Sequence, residues 1–154
     1  MPALNEPAPA FSLPDTSRKN VSLADYKGRK LVIAFFPAAF TGVCKTELCT
    51  FRDALANLND IGADVVAISV DAPFSNGAFA SANDINFPIL SDYARKAVAA
   101  YDVALDDFAG MPGYTASQRA VFVADENGIL TYAWVAPNPG VEPDYDAVKA
   151  AVGA

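Results

Sequence analysis

The stretch Leu31-Val-Ile-Ala-Phe-Phe36-Pro37-Ala-Ala-Phe-Thr41-Gly-Val-Cys44-Lys-Thr-Glu47-Leu-Cys49-Thr-Phe-Arg52-Asp53 opens with six apolar residues and passes, through Pro37, into a helical pattern. The run Leu31–Phe36 is rich in β-branched and aromatic residues and has no polar alternation, which predicts a strand covered on both faces. From about Gly42 to Leu58 the spacing changes. Leu48, Phe51, Leu55 and Leu58 recur at three and four residues, while Lys45, Glu47, Arg52 and Asp53 fall elsewhere around the cylinder. A buried strand feeding an amphipathic helix is the repeating step of an α/β sheet.

The same step recurs downstream. Asp64–Val70 reads as a second buried strand, Phe74–Asn83 as a helix weakened by Gly77, Phe87–Leu90 as a third strand and Tyr93–Tyr101 as a helix. Upstream, residues 1–10 are rich in Pro and Ala and should run extended, because their prolines cannot sit in a helix. Phe11–Leu13 reads as a short strand, and Val21–Leu23 as the start of another element ended by Tyr26-Lys27-Gly28. Residues 102–118, with Gly110, Pro112 and Gly113, read as a loop. Arg119–Asp125 and Ile129–Val135 read as strands joined at Asn127-Gly128, the strongest hairpin signal in the chain, and residues 144–153 as a closing helix. Together these predict a single α/β domain over residues 1–154. It is a mixed central sheet flanked by helices, with parallel crossovers and an antiparallel edge. Strand order is not legible at this level.

Composition narrows the chemistry. The chain has 154 residues, is 53% hydrophobic, and carries 11 Lys+Arg against 18 Asp+Glu for a net charge of −7, with no His. Such a chain buries a core without a disulfide lattice. The missing His removes Ser-His-Asp and Cys-His catalysis, His-ligated zinc or haem, and a histidine pH switch. The acidic balance argues against nucleic acid or an anionic membrane as partner. The first residues lack a basic region followed by an apolar one, and the longest apolar run, Leu31–Ala39, is too short to span a bilayer, so a cytoplasmic location is expected. Two cysteines in an unexported chain point to thiol chemistry rather than a structural bridge. Without His they fall short of four-coordinate zinc, so neither metal nor cofactor is expected.

Cys44 falls in the first turn of the predicted helix, at the end of a buried strand. There the open N–H groups and the positive end of the helix dipole favour a thiolate over a thiol. The other reading of Cys44 is a small buried hydrophobe, and position alone leaves both open. Lys45 points in another direction and carries little weight. Cys49 follows at i+5. In an intact helix that spacing sets the Cα atoms roughly 8.7 Å apart and about 140° around the axis, whereas a disulfide needs less than about 7 Å. The pair is therefore either unrelated or a switch that opens the first turn. It is also not a Cys-x-x-Cys redox motif.

Pro37-x-x-x-Thr41-x-x-Cys44 resembles the active-site signature of the peroxiredoxins, the cysteine-based peroxidases. The resemblance extends over nearly the whole chain, through the Pro-rich start with Phe11-x-Leu13, the Phe36-Pro37 strand end, Glu47 and Arg119. It implies a thioredoxin-like fold with an N-terminal extension and a thiol-dependent peroxidase acting on hydrogen peroxide and organic hydroperoxides. Cys44 would be the peroxidatic cysteine, with Pro37, Thr41 and Arg119 completing the site. A resolving cysteine five residues on resembles the arrangement in Q-type (bacterioferritin-comigratory) peroxiredoxins, which would give Cys49 that role and a thioredoxin-type reductant as partner. Thr-Gly-Val-Cys44 with Ala38 and Ala39 looks closer to the branch of alkyl hydroperoxide reductase E, where an external thiol would resolve Cys44 and leave Cys49 a bystander.

These residue types also have independent physical reasons. Cleaving a peroxide needs a thiolate and hydrogen-bond donors aimed at the departing oxygen. Arg119 supplies a permanent cation with several donors, Thr41 a hydroxyl that both donates and accepts, and Val43 and Cys44 their backbone N–H groups. Pro37 shapes the loop and shields the thiolate, and Glu47 can hold Arg119 by a charge-assisted pair. Each has a plainer alternative: Pro37 as a strand end, Thr41 as helix N-cap, Glu47 as an ordinary first-turn acid, Arg119 as a surface charge. Competing functions are a general thiol–disulfide oxidoreductase and a non-catalytic redox sensor. Phe40, Phe74 and Tyr114 read either as a dimer face or as core.

Overall fold

The computed structural model describes residues 1–153. In chain order the elements are β1 (Ser12–Pro14), β2 (Asn20–Ser22), β3 (Lys30–Phe35), α1 (Gly42–Asp60), β4 (Ala63–Ser69), α2 (Pro73–Ala82) and β5 (Ile89–Ser91). They continue with α3 (Lys96–Ala100), β6 (Ala104–Leu105), β7 (Ala116–Ser117), β8 (Ala120–Ala124), β9 (Leu130–Val135) and α4 (Tyr145–Ala151).

A five-stranded sheet runs in the order β5-β4-β3-β8-β9. β3, β4 and β5 are parallel, as the two strand–helix–strand steps require, while β8 is antiparallel to β3 and to β9. The apolar run of β3 lies at the centre, buried along its length after Lys30. Its alternating side chains feed two cores. Leu31, Ile33 and Phe35 pack on one face with Phe11, Tyr101 and Phe122, and Val32, Ala34 and Phe36 on the other with Leu48, Phe51 and Phe79. The second face is the one covered by α1, α2 and α4, and Cys44 belongs to it. The N-terminal segment is an extension as expected: β1 pairs with β2, and Asn5 and Ala8 donate backbone hydrogen bonds to Leu130 and Gly128 near the β9 end. The mixed α/β sheet with flanking helices, expected from the strand–helix alternation, is what the chain forms.

Several boundaries move for local reasons. The helix expected over Tyr93–Tyr101 shrinks to α3. The buried Asp92 carboxylate accepts from Ala97 N–H (3.1 Å) and Val98 N–H (2.8 Å), and Arg95 sits at φ 59°, so the helix cannot begin before it. The third strand starts at Ile89, because Pro88 has no N–H to offer the ladder. The expected loop 102–118 holds a two-stranded ribbon, β6 with β7. In the hairpin the turn is Asp125–Gly128, closed by Gly128 N–H on Asp125 O, and Asp125 Oδ1 also accepts from Asn127 N–H. Only Gly128 has positive φ (78°) there, so this is a four-residue turn rather than a two-residue Asn-Gly turn. No helix among the described residues is long and apolar enough to cross a membrane.

Candidate active site

The register of β3 with β8 brings the site together. Phe35 pairs with Ala120, so the loop leaving β3 and the residue entering β8 meet at the same end of the sheet. Cys44 and Arg119 are separated by 75 positions, yet Arg119 Nη2 donates to Cys44 Sγ at 3.2 Å. Arg119 Nη1 donates to Glu47 Oε1 at 3.0 Å. All three are buried: Cys44 and Glu47 are 0% exposed and Arg119 is 2% exposed. Arg119 is therefore not a surface charge, and Glu47, three residues after Cys44 on the same face of α1, is not an ordinary first-turn acid.

Burial alone would disfavour the charge on Arg119, but the charges and hydrogen bonds of Glu47 and Cys44 outweigh it and raise its pKa, so the guanidinium stays cationic. Glu47 moves up as well, to about 8. Burial is the main cause and Arg119 opposes it, with Glu142 adding a smaller upward push. Glu47 Oε2 has no hydrogen-bond partner, an arrangement better suited to a neutral carboxyl than to a buried carboxylate. Glu47 takes the Nη1 donor and so positions the guanidinium with Nη2 facing the sulfur.

Thr41 occupies the N-cap position of α1 with extended backbone, but its hydroxyl makes no capping bond. It donates backwards to Ala38 O at 2.9 Å, so its proton closes the loop and its oxygen keeps acceptor lone pairs that no first-turn N–H uses as a cap. The first-turn N–H groups, those of Val43 and Cys44 among them, stay free of any side-chain cap. Pro37 is buried at the strand exit, whereas Thr41 is exposed. Cys49 is half-buried one turn beyond, and both cysteines are free within the unbroken α1.

Two contributors escape a residue-type reading. The backbone carbonyl of Pro139 accepts from Arg119 Nε (3.1 Å) and Nη2 (2.8 Å), so the loop after β9 fixes the guanidinium as firmly as Glu47 does. No side chain advertises that contact. Its sole trace is the turn-rich Pro137-Asn-Pro-Gly140, legible only as a loop. Asp71, at the end of β4, accepts from Ala39 N–H at 2.8 Å. Its position after a buried strand was the available signal. Of the three aromatics, Phe40 and Phe74 are 61% and 70% exposed, and Tyr114 is half-buried against Phe108.

A buried cysteine under an arginine, at a strand-to-helix junction of this sheet, defines a cysteine-based redox site on a thioredoxin-like fold. The family model described as the AhpC/TSA family matches residues 4–133. A provisionally named peroxiredoxin of Mycobacterium tuberculosis is 41% identical over 128 residues, 82% of this chain and 80% of that protein. A thiol peroxidase of Streptococcus sanguinis is 38% identical over 144 residues, covering 92% and 83%. Among solved structures, peroxiredoxin Q of Xanthomonas campestris superposes with a TM-score of 0.81 at 27% identity, over 93% of this chain and 89% of that one. The chain belongs to the AhpC/TSA family, the peroxiredoxins, and is a peroxidase of the oxidoreductase class.

Proposed function

We propose that Cys44 is the peroxidatic nucleophile of a thiol-dependent reductase of hydrogen peroxide and organic hydroperoxides. The Cys44 thiolate attacks one peroxide oxygen. An S–O bond forms as the O–O bond breaks, the sulfur is oxidised to a sulfenic acid, and the second oxygen leaves as an alcohol or water on taking a proton. The Arg119 donor 3.2 Å from Cys44 Sγ is the observation that carries this reading. A fixed cation in a dry site holds the thiolate and steadies charge on the departing oxygen without reorganisation. Val43 and Cys44 N–H, with the Thr41 hydroxyl, complete the cradle, and Pro37 keeps water from the sulfur. If Cys44→Ser leaves peroxide consumption in excess dithiothreitol unchanged, the reading is wrong.

Cys49 resolves the sulfenic acid in this scheme. Its thiol condenses with Cys44–SOH, releasing water and forming the disulfide, and a thioredoxin-type dithiol reduces that bond by exchange. The intact α1 supports local unwinding as a required step, because i and i+5 in a helix stand roughly 8.7 Å apart at Cα. Mass spectrometry after one equivalent of peroxide should find the Cys44–Cys49 bridge. A persistent sulfenic acid in wild type, with full turnover in Cys49→Ser, assigns resolution to an external thiol instead. The chain works as one domain in the cytoplasm, and the exposed Phe40 and Phe74 support self-association as a homodimer, which sedimentation tests directly.

A further inference from the structure

The loop Pro37–Thr41 over Cys44 is short, and its own residues do not hold it alone. Among the described residues, one hydrogen bond from a distant side chain reaches its interior: Ala39 N–H donates to Asp71 Oδ2 at 2.8 Å, across 32 positions. The same oxygen accepts the Ser69 hydroxyl at 2.9 Å, and Ser69 Oγ accepts the Asp71 N–H at 3.2 Å. Ser69 Oγ also lies 3.2 Å from Asn76 Oδ1, and Asn76 Nδ2 donates to Ser91 Oγ at 3.1 Å. Ser69, Asn76 and Ser91 are each 0% exposed. Polar contacts, buried except at Asp71, thus run from β5 through α2 to the end of β4 and terminate on the loop. Ser69 has one proton to share between Asp71 and Asn76, so the rigid part is the Asp71 carboxylate oxygen held by both the Ser69 hydroxyl and Ala39 N–H.

The next residues show what that rigidity is set against. Phe40 adopts φ 64°, a conformation that side-chain-bearing residues avoid. Its ring stands edge-on to buried Phe79 at a centroid distance of 5.3 Å. Thr41 follows, with its hydroxyl turned back to Ala38 O. Released from Asp71, the segment would relax away from the strained Phe40 conformation and carry the Thr41 hydroxyl with it.

We infer that Asp71 is a positioning residue for the peroxide reaction: through Ala39 N–H it holds Ala38–Thr41 in the conformation that sets the Thr41 hydroxyl and the first-turn N–H groups of α1 over Cys44. This rests on the reading of Cys44 as the peroxidatic cysteine. Asp71 touches neither sulfur nor peroxide. It acts on the geometry of the cradle, and displacements of about 1 Å in such geometry cost on the order of 100-fold in rate.

The test uses the full chain in a Cys49→Ser background, so that Cys44 is the only thiol. Two single-turnover rate constants are measured, one with hydrogen peroxide, which needs the cradle, and one with iodoacetamide, which reports the sulfur. Asp71→Ala should lower the peroxide constant about 30-fold and leave alkylation within about threefold. Asp71→Asn keeps an acceptor for Ala39 N–H and should recover most of the loss. A fall of less than about fivefold in Asp71→Ala overturns the proposal, as does alkylation falling in step with peroxide reduction, or Asn faring no better than Ala. Should Asp71→Ala fail to fold, Ser69→Ala, which removes only the hydroxyl that orients the carboxylate, must lower the peroxide constant selectively by more than about fivefold, and an unchanged constant is equally fatal. Cys44→Ser in the same background separates the two claims. Peroxide consumption surviving in that variant defeats the peroxidase reading, whatever Asp71 does.

Discussion

Replacing Glu47 by Gln should change how the stability of this protein depends on pH, and by a calculable amount. Glu47 is 0% exposed, takes one hydrogen bond from Arg119 at 3.0 Å and leaves Oε2 without a partner. Burial pushes its pKa from an ordinary 4.5 to about 8, against the pull of Arg119. Between those values the folded protein holds a proton that the unfolded chain has released. The corresponding stability is complete below pH 4.5 and is lost as pH rises through 8. At about 1.4 kcal/mol per pH unit the loss is at most about 5 kcal/mol, of which about 3 kcal/mol falls between roughly pH 5 and 7.5. A glutamine in its place is nearly isosteric, can still accept from Arg119 and does not titrate. All other ionisable groups are shared, so the difference between the two proteins isolates this carboxyl. Urea unfolding of wild type and Glu47→Gln, reduced, at several pH values from 5 to 8, should show the variant gaining about 3 kcal/mol relative to wild type as pH rises. A difference that stays flat, or shifts towards wild type with rising pH, would mean that Arg119 keeps Glu47 ionised, and the neutral-carboxyl account of the site would be abandoned.

Arg119→Lys keeps a cation but cannot serve Cys44 Sγ, Glu47 Oε1 and Pro139 O with the fixed fork of the guanidinium. Peroxide reduction by stopped flow should fall on the order of 100-fold, and a rate within about threefold of wild type would show that charge alone suffices. In the oxidised protein, amide exchange over residues 42–50 should rise sharply, because the disulfide requires α1 to open there. Protection equal to that of the reduced form would contradict a Cys44–Cys49 bridge. Gly128→Ala should cost about 1 kcal/mol in urea denaturation, since φ is 78° and there is open space around the position, leaving backbone strain as the only penalty. No loss would mean that the turn rearranges freely.

Much of the fold was legible because its signals are local. Six consecutive apolar residues from Leu31 do not alternate because both faces of β3 are covered. The Leu48, Phe51, Leu55, Leu58 stripe marks the side of α1 that packs on the sheet. Boundaries failed where a side chain bonded a nearby backbone group that periodicity does not register. Asp92 caps α3 from beyond the helix, so Tyr93–Arg95 could not be seen as excluded. Thr41 at a helix start reads as a cap, but its hydroxyl goes to Ala38 O, a choice that depends on the path of the loop.

The candidate site divides along the same line. The strand-to-helix junction draws attention to Cys44, while Pro37, Thr41 and Arg119 are singled out by the resemblance to the peroxiredoxin signature rather than by spacing alone. Whether Glu47 is a first-turn acid or the partner of Arg119, and whether Arg119 faces water or sulfur, could not follow from spacing, because those outcomes rest on the β3–β8 register that pairs Phe35 with Ala120. The contributions of Pro139, through a carbonyl every residue possesses, and of Asp71, through a single backbone N–H, exist only in three dimensions. Periodicity is a property of neighbours along the chain and survives in the sequence. A hydrogen bond between residues far apart in the chain is a property of register and loop path, and only the folded molecule determines it.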